Sequence, residues 1–434
     1  WSSFEVEKGK YNWTFFDKIM KQITDAGYFA GVSLVLWTNG LSFKDELELQ
    51  KTADGEIYVY DESRGEFPSL TSENNKKIIF SAIEALADRI AEKYSDKTVV
   101  CQVLTSPFGD AGYSAEEDLD YSDSAAEAFY AFIAEKYQSP EKFSEIYALN
   151  IETFDDLKTI GLEKLAATCA FDRKIFKQKT LAEFQKEACK IFKTADSSVL
   201  FKLSFGGIGD TKAAVYRGFF DPYEAEKTVG ADILSAEPEN GGSVSFTSDY
   251  IASTAMQSFE LSVYERDLSG EKKADILSAA KNGKLDGICF DITENAENIE
   301  FIKETVSAVK SAKKPELSDE GVIFVNTADF VLRSPAKSLY AAFAEKYSEI
   351  SEKGAKAVRF ITDTMLTDGK AGEITELLSS VSGKFFYLAE EAAKTLKEKQ
   401  IYLKMDQAGT FELRNEYKTA FSEEDNSEIS VLFK

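Results

Sequence analysis

The sequence predicts an α/β fold built on a parallel sheet, and three observations carry the prediction. Short apolar segments alternate with amphipathic helical patterns over about the first 310 residues, so strand and helix periodicities succeed one another. The apolar segments are nearly continuous in Val, Ile, Leu and Phe, as strands covered on both faces require. Most of them close on polar residues or Gly. Six such units fit an open doubly wound sheet or most of an eight-stranded barrel.

In order, the helical pattern Asn12–Ala26 precedes a first strand, Tyr28–Trp37. The helix Ser72–Tyr94 then leads to the strand Thr98–Thr105. Helical patterns Ser124–Tyr137 and Leu162–Lys193 follow, and Val199–Phe205, Ala231–Ala236, Phe259–Tyr264 and Gly287–Asp291 complete the strand series. Ala296–Ser311 reads as its last helix, and Lys313-Lys314-Pro315-Glu316 as a linker. The pattern restarts with strands at Gly321–Asn326, Ala357–Thr362 and Lys384–Leu388. Helices at Ala341–Ile350, Gly372–Ser380 and Ala389–Lys399 alternate with them. The tail Ile401–Lys434 alternates in hydrophobicity and reads as further strand. Two domains are therefore expected, 1–314 and a smaller α/β domain over 319–434.

Composition narrows the chemistry. The chain has no His, which removes Ser-His-Asp and Cys-His catalysis and the His-rich zinc sites. It carries 75 Asp plus Glu against 51 Lys plus Arg, a net charge of −24. That balance argues against nucleic acid and against an anionic membrane surface as partners. Acid/base work near neutral pH falls to carboxylates, Lys, Tyr or Cys. The four Cys show no C-x-x-C spacing, so neither a metal site nor a redox pair is expected. No run of about 18 apolar residues predicts a membrane span.

Barrel enzymes keep catalytic groups at the C-terminal ends of their strands. After Thr98–Thr105 comes Ser106-Pro107-Phe108-Gly109-Asp110-Ala111-Gly112-Tyr113, a close-turning loop that presents Asp110 and Tyr113. Phe259–Tyr264 runs into Glu265, Arg266 and Asp267. Two carboxylates facing each other across a barrel mouth are what glycosidic cleavage needs, without His, metal or cofactor. The competing reading makes Asp110 a helix cap and pairs Glu265 with Arg266 or a surface Lys. Trp37, ending the first strand, is either a sugar-stacking ring or a core aromatic. Asn39, Glu237, Tyr264 and Asp291 sit at strand ends as candidate substrate contacts. The Gly206–Gly209 stretch lacks the Lys-Ser/Thr of a phosphate loop and reads as a tight turn.

Trp1-Ser2-Ser3-Phe4-Glu5-Val6-Glu7-Lys8-Gly9-Lys10-Tyr11-Asn12-Trp13 resembles the W-x-x-x-E-x-x-x-G-x-Y-x-W/F opening of glycoside hydrolase family 42 β-galactosidases and their relatives, which include the family 14 β-amylases. Ile90–Tyr94 with Val99–Leu104 is similar to the approach to the fourth barrel strand, and Phe132–Tyr137 with Ser144–Tyr147 to the helix after it. Asp286–Phe290 is similar to the eighth strand, and Val358–Gly369 to part of the Rossmann-like accessory domain that follows the barrel. The resemblance implies a (β/α)8 TIM-type barrel lacking its first strands in this chain, followed by a smaller Rossmann-like α/β domain. The missing strands would lie upstream, in the tail Ile401–Lys434, or in a partner chain.

By the same resemblance Glu265 matches the nucleophile that ends strand seven. Strand four departs from the family: Thr105 and Ser106 hold the Asn-Glu positions, and neither can protonate a leaving group. The loop instead looks like the β-amylase G-P-A-G-E-x-x-Y loop, with Asp110 where that family has its acid. The implied function is cleavage of β-galactosides or related glycans, with Asp110 as proton donor. The alternative is an inactive barrel that serves as a surface, scaffold or carbohydrate-binding protein. Tyr113 or Tyr264 would orient the carboxylates and Arg266 would keep Glu265 ionised. A homo-oligomer through the accessory domain is a further implication, and an extracellular or cell-surface setting is expected ahead of a cytoplasmic one.

Overall fold

Ala30, Val32 and Leu34 alternate with the exposed Gly31 and Ser33, the period-2 pattern of a strand with one buried face. In the computed structural model Glu5–Glu7 (β1) and Lys10–Tyr11 (β2) form a small antiparallel pair before Ala30–Val35 (β3). Next come Thr98–Leu104 (β4), Leu200–Phe205 (β5) and Ile233–Ala236 (β6). Ser258–Val263 (β7) and Gly287–Phe290 (β8) follow. Strands β3 to β8 form a sheet in the order β3-β4-β5-β6-β7-β8, the order of consecutive barrel strands. The β3–β4, β4–β5 and β7–β8 pairings are parallel.

The structure describes residues 1–207, 216–238, 243–263, 268–291 and 298–314. Beyond these it describes Glu320–Val325 (β9), Ala357–Thr362 (β10), Phe386–Leu388 (β11), Tyr402–Met405 (β12) and Phe411–Arg414 (β13), with 347–348, 352 and 364–365. The expected helices 341–350, 372–380 and 389–399 fall almost wholly outside the described residues. Packing divides the chain into two compact units. The first comprises Trp1–Gly206, Ala213–Phe219 and Ala225–Ile233; the second comprises Gly207–Lys212, Phe220–Glu224 and Leu234–Lys434.

In the first unit the helix Glu73–Tyr94 starts at Ser72, whose side chain accepts from the Asn75 amide. It buries Ile78, Ile79, Ala82, Ile83, Leu86, Ala87 and Ile90 at helical spacing. Each fully buried Ile or Leu contributes roughly 1.5–3 kcal/mol. Between β4 and β5 the helices Asp123–Tyr137, Pro140–Tyr147, Asp156–Ile160 and Leu162–Thr168 gather around Phe129, Ile133, Phe143 and Leu157. The single helix expected over Leu162–Lys193 is two, Leu162–Thr168 and Ala170–Ala195. The backbone leaves helical geometry at Cys169, and the break lets Leu162, Leu165 and Phe176 enter one cluster.

In the second unit Ser243 caps the helix Val244–Thr254, and Asp249 is its buried anchor. Asp249 accepts from Lys284 Nζ at 2.8 Å, Tyr347 Oη at 2.8 Å and the Val358 amide at 3.0 Å. Its carboxyl is pushed up by burial, against the pull of Lys284. Strands β10, β9 and β11 form a parallel three-stranded sheet in that order, and β12 pairs antiparallel with β13. No helix among the described residues is long and apolar enough to cross a membrane.

None of the four cysteines is in a disulfide, and burial pushes the Cys101 and Cys169 thiols up to about 12 and that of Cys189 to about 11. Titration of the native protein near pH 8 with a disulfide reagent is therefore expected to leave these three unreacted. Only the half-buried Cys289 is expected to respond, and denaturant should release all four. Rapid modification of Cys101 in the folded chain would contradict the packing around β4.

Candidate functional site

The end of β4 is closed by backbone geometry before any side chain acts. Thr105 and Ser106 amides both donate to the Asp110 carbonyl, at 3.0 and 3.1 Å, which folds the loop back on its own strand. Gly109 takes φ +81°, a conformation that glycine adopts without strain. Ser106 Oγ accepts from the Phe108 amide at 3.0 Å, and Thr105 Oγ1 donates to the Gly112 carbonyl at 2.7 Å. The two residues at the family's Asn-Glu positions are thus occupied in holding the loop.

Asp110 is 4% exposed and caps no helix; Ser122 caps the helix that follows. One carboxylate oxygen of Asp110 accepts from the Gly112 amide at 2.9 Å, and the other pairs with Arg217 Nη1. A charge-assisted pair of this kind stabilises the ionised carboxylate. Arg217 is held there from three directions. The Tyr113 amide donates to its carbonyl at 2.8 Å. A Cβ on Gly112 would sit 2.7 Å from that same carbonyl, so the approach requires glycine. Lys177, itself 1% exposed, donates to the neighbouring Tyr216 carbonyl at 2.8 Å and to Asp118 at 2.7 Å. Burial lowers Lys177, while burial of Asp118 is outweighed by Lys177 and Arg173, which hold that carboxyl at about 2. Gly206, expected in a tight turn, lies directly under the Arg217 guanidinium and the Asp110 carboxylate.

A hairpin that periodicity did not reveal covers this region. Bridges pair Leu49 with Pro68, Lys51 with Ile57 and Val59 with Glu66. Its tip is an Asp turn: Asp61 Oδ1 accepts from the Ser63 and Arg64 amides at 2.9 and 2.7 Å. Asn39 fastens the tip by donating to the Glu62 and Ser63 carbonyls at 3.2 and 2.9 Å. The tip places Arg64 over the Trp37 ring at 5.4 Å and over the Tyr60 ring at 4.9 Å. Tyr60 meets Phe108 edge-on at 5.2 Å, and Arg217 lies over the other aromatic, Phe108, at 4.9 Å.

The expected site residues are thus distributed unevenly. Asp110 and Trp37 are gathered at the C-terminal ends of β4 and β3. Asn39 uses its amide to hold the hairpin. Tyr113 is 2% exposed, its phenol pushed up by burial, with Lys177 5.3 Å from its ring centroid. Glu237 follows β6 and Asp291 follows β8, both half-buried in the second unit. Tyr264, Glu265 and Arg266 lie outside the described residues. Arg217, Arg64, Tyr60 and Phe108 were not anticipated. The D-E-S-R-G tip signal was present in the sequence; nothing local pointed Arg217 at Asp110. Among the described residues no group of three or more Asp, Glu or Cys is placed to hold a metal.

Comparison with known proteins bears on the fold. The catalytic domain of β-amylase from Paenibacillus polymyxa matches 72% of this chain and 89% of its own length, at 13% identity and a TM-score of 0.58. A β-galactosidase from the haloarchaeon Halorubrum lacusprofundi matches 93% of this chain and 72% of its own, at 13% identity and a TM-score of 0.66. For a β-galactosidase from Bacillus circulans the values are 92% and 63%, at 14% identity and a TM-score of 0.67. At these identities the likeness is one of fold. No curated protein matches the chain in sequence. The family model for glycoside hydrolase family 42, described as beta-galactosidase, matches residues 1–212. The chain therefore resembles the family 42 β-galactosidases, in sequence over residues 1–212 and in its α/β barrel-type fold beyond them.

Proposed function

We propose that this chain is a carbohydrate-active barrel of the glycoside hydrolase type, cleaving β-galactosides or related glycans with two carboxylates and no cofactor. Glu265 is the nucleophile and Asp110 the second carboxylate. The observation that supports this best is the position of Asp110. It stands on the loop that closes β4, on the side where barrel enzymes keep their chemistry, within the family-matched segment. The region 319–434 is read as a Rossmann-like accessory domain after a barrel over 1–314, and self-association would run through it. Hydrolysis of aryl β-galactosides by the wild type, Glu265→Gln and Asp110→Asn tests the reading. Turnover that disappears in Glu265→Gln supports it, and turnover unchanged in that variant sinks it.

A second reading is favoured by the Arg217 pair. A buried carboxylate kept ionised has no proton to give a leaving group, and neither Thr105 nor Ser106 can replace it. On this reading the barrel binds glycans without cleaving them. Calorimetric binding of galacto-oligosaccharides in the absence of any turnover by the wild type decides for it.

A further inference from the structure

We propose that Trp37 and Arg64 form a receptor for an oxyanion carried on a sugar, so that the preferred ligand is an acidic glycan bearing sulfate or carboxylate groups. The proposal rests on the carbohydrate reading above and names the ligand class of that site. Four observations carry it.

First, the Arg64 guanidinium lies over two aromatic rings, 5.4 Å from the Trp37 centroid and 4.9 Å from that of Tyr60. Contact with both rings restrains the side chain, and its N–H groups suit a planar or tetrahedral anion. Second, among the described residues those N–H groups make no side-chain hydrogen bond; their ion-pair partner, Asp61, lies 3.9 Å away, beyond hydrogen-bond distance. Asp61 already accepts from the Ser63 amide, the Ser63 hydroxyl and the Arg64 amide, and these contacts lower its carboxyl. Third, the indole Nε1–H of Trp37 is buried and has no acceptor among the described residues. Guanidinium and indole thus offer donors alone, and a ligand rich in acceptors meets the guanidinium directly and the indole N–H after a small shift of the ring. Fourth, the pair is built rather than incidental. Asn39 and the Asp61 turn fasten the hairpin tip, and Gly65 takes φ +73°, where a Cβ would lie 3.4 Å from the Asn39 Cβ. The receptor follows β3 on the strand's C-terminal side, next to Phe108 of the Asp110 loop. A sugar chain lying there meets aromatic faces for its rings and a guanidinium for its charge. In a chain of net charge −24, a fixed cation at this place also offsets the repulsion an anionic polymer meets on approach.

The test is isothermal titration of the full chain with three galacto-oligosaccharides of equal length: neutral, sulfated, and uronate-bearing. At least one acidic ligand is expected to bind about tenfold tighter than the neutral one, and the arm that does identifies the anion. Arg64→Gln should bring acidic and neutral affinities together. Arg64→Lys, which keeps the charge but not the fork, should recover part of the preference. Trp37→Phe keeps the ring and loses the N–H; about a threefold loss for the acidic ligand is expected. Equal affinity for all three ligands in the wild type overturns the receptor and leaves the carbohydrate reading standing. So does a preference that survives Arg64→Gln. Binding of none of them overturns the carbohydrate reading and the receptor with it. Thermal unfolding of each variant confirms that the fold is intact before affinities are compared.

Discussion

Arg217→Met is expected to cost the fold about 3–5 kcal/mol, the usual loss when one partner of a buried ion pair is removed. The Arg217 and Asp110 side chains are only 13% and 6% exposed, so water cannot take over the role of the lost partner. The guanidinium also covers the Phe108 ring at 4.9 Å, and that packing is lost with it. Asp110→Asn should cost less, because an amide can still accept from Gly112. The double variant is expected to be more stable than the sum of the single losses predicts, by about 1–3 kcal/mol, since no charge is then left unpaired. Denaturant unfolding at constant slope measures all three. Additive losses would show that the pair is not energetically coupled. The same variant bears on chemistry. Without Arg217, burial of Asp110 favours the neutral carboxyl, the form that can donate a proton. If the barrel hydrolyses glycans, Arg217→Met should move the acidic requirement of turnover to higher pH. If it only binds them, no turnover appears at any pH.

The sheet was legible in the sequence because its central strands, such as Leu200–Phe205, are apolar and buried nearly throughout, while the edge strand Ala30–Val35 alternates buried and exposed positions. Each of the six strands from β3 to β8 lies within two residues of its expected bounds at either end. One of the two-residue differences has an evident cause: Tyr28 and Phe29, 71% and 64% exposed, precede β3 rather than belong to it. The hairpin at 49–68 was not legible. Its pairing is by isolated bridges, too short to impose a period-2 pattern. The candidate site was legible to the extent that loops at strand ends can be read from sequence: that rule singles out Asp110, and Pro and Gly mark its loop. Its partner was hidden, because Arg217 reaches it across 107 residues through the approach of Gly112 to the Arg217 carbonyl. Asn39 and Tyr113 also have structural contacts that the sequence did not reveal: the Asn39 amide holds the hairpin tip, and the Tyr113 backbone amide holds the Arg217 segment.

Asp172→Ala is expected to cost about 3–5 kcal/mol, because one buried carboxylate joins three helices of the segment between β4 and β5. Asp172 is fully buried on the helix Ala170–Ala195. It accepts from Tyr137 Oη at 2.7 Å and Tyr147 Oη at 2.8 Å, and it pairs with Lys136. Those partners come from the helices Asp123–Tyr137 and Pro140–Tyr147, whose rings also pack on Phe143 at 5.4 Å and 5.1 Å. Alanine leaves the Tyr147 phenol without an acceptor and Tyr137 with only its 3.3 Å bond to Tyr147 Oη, above the Phe129, Ile133 and Phe143 cluster. Asparagine keeps one acceptor oxygen and should cost about 1–2 kcal/mol. A pH signature accompanies the loss. Burial, with the Asp172 hydrogen bond and charge adding to it, raises Tyr137 to about 12 from its ordinary value of 10.0. The folded state therefore favours the neutral phenol. That stability is fully present below pH 10 and is lost as pH rises toward 12. In Asp172→Ala the neighbouring negative charge is gone, so stability should fall less steeply over that alkaline range than in the wild type. Unfolding midpoints measured at neutral pH and again above pH 10 test both statements. Equal losses for alanine and asparagine would mean that cavity formation, rather than the hydrogen bonds, sets the cost.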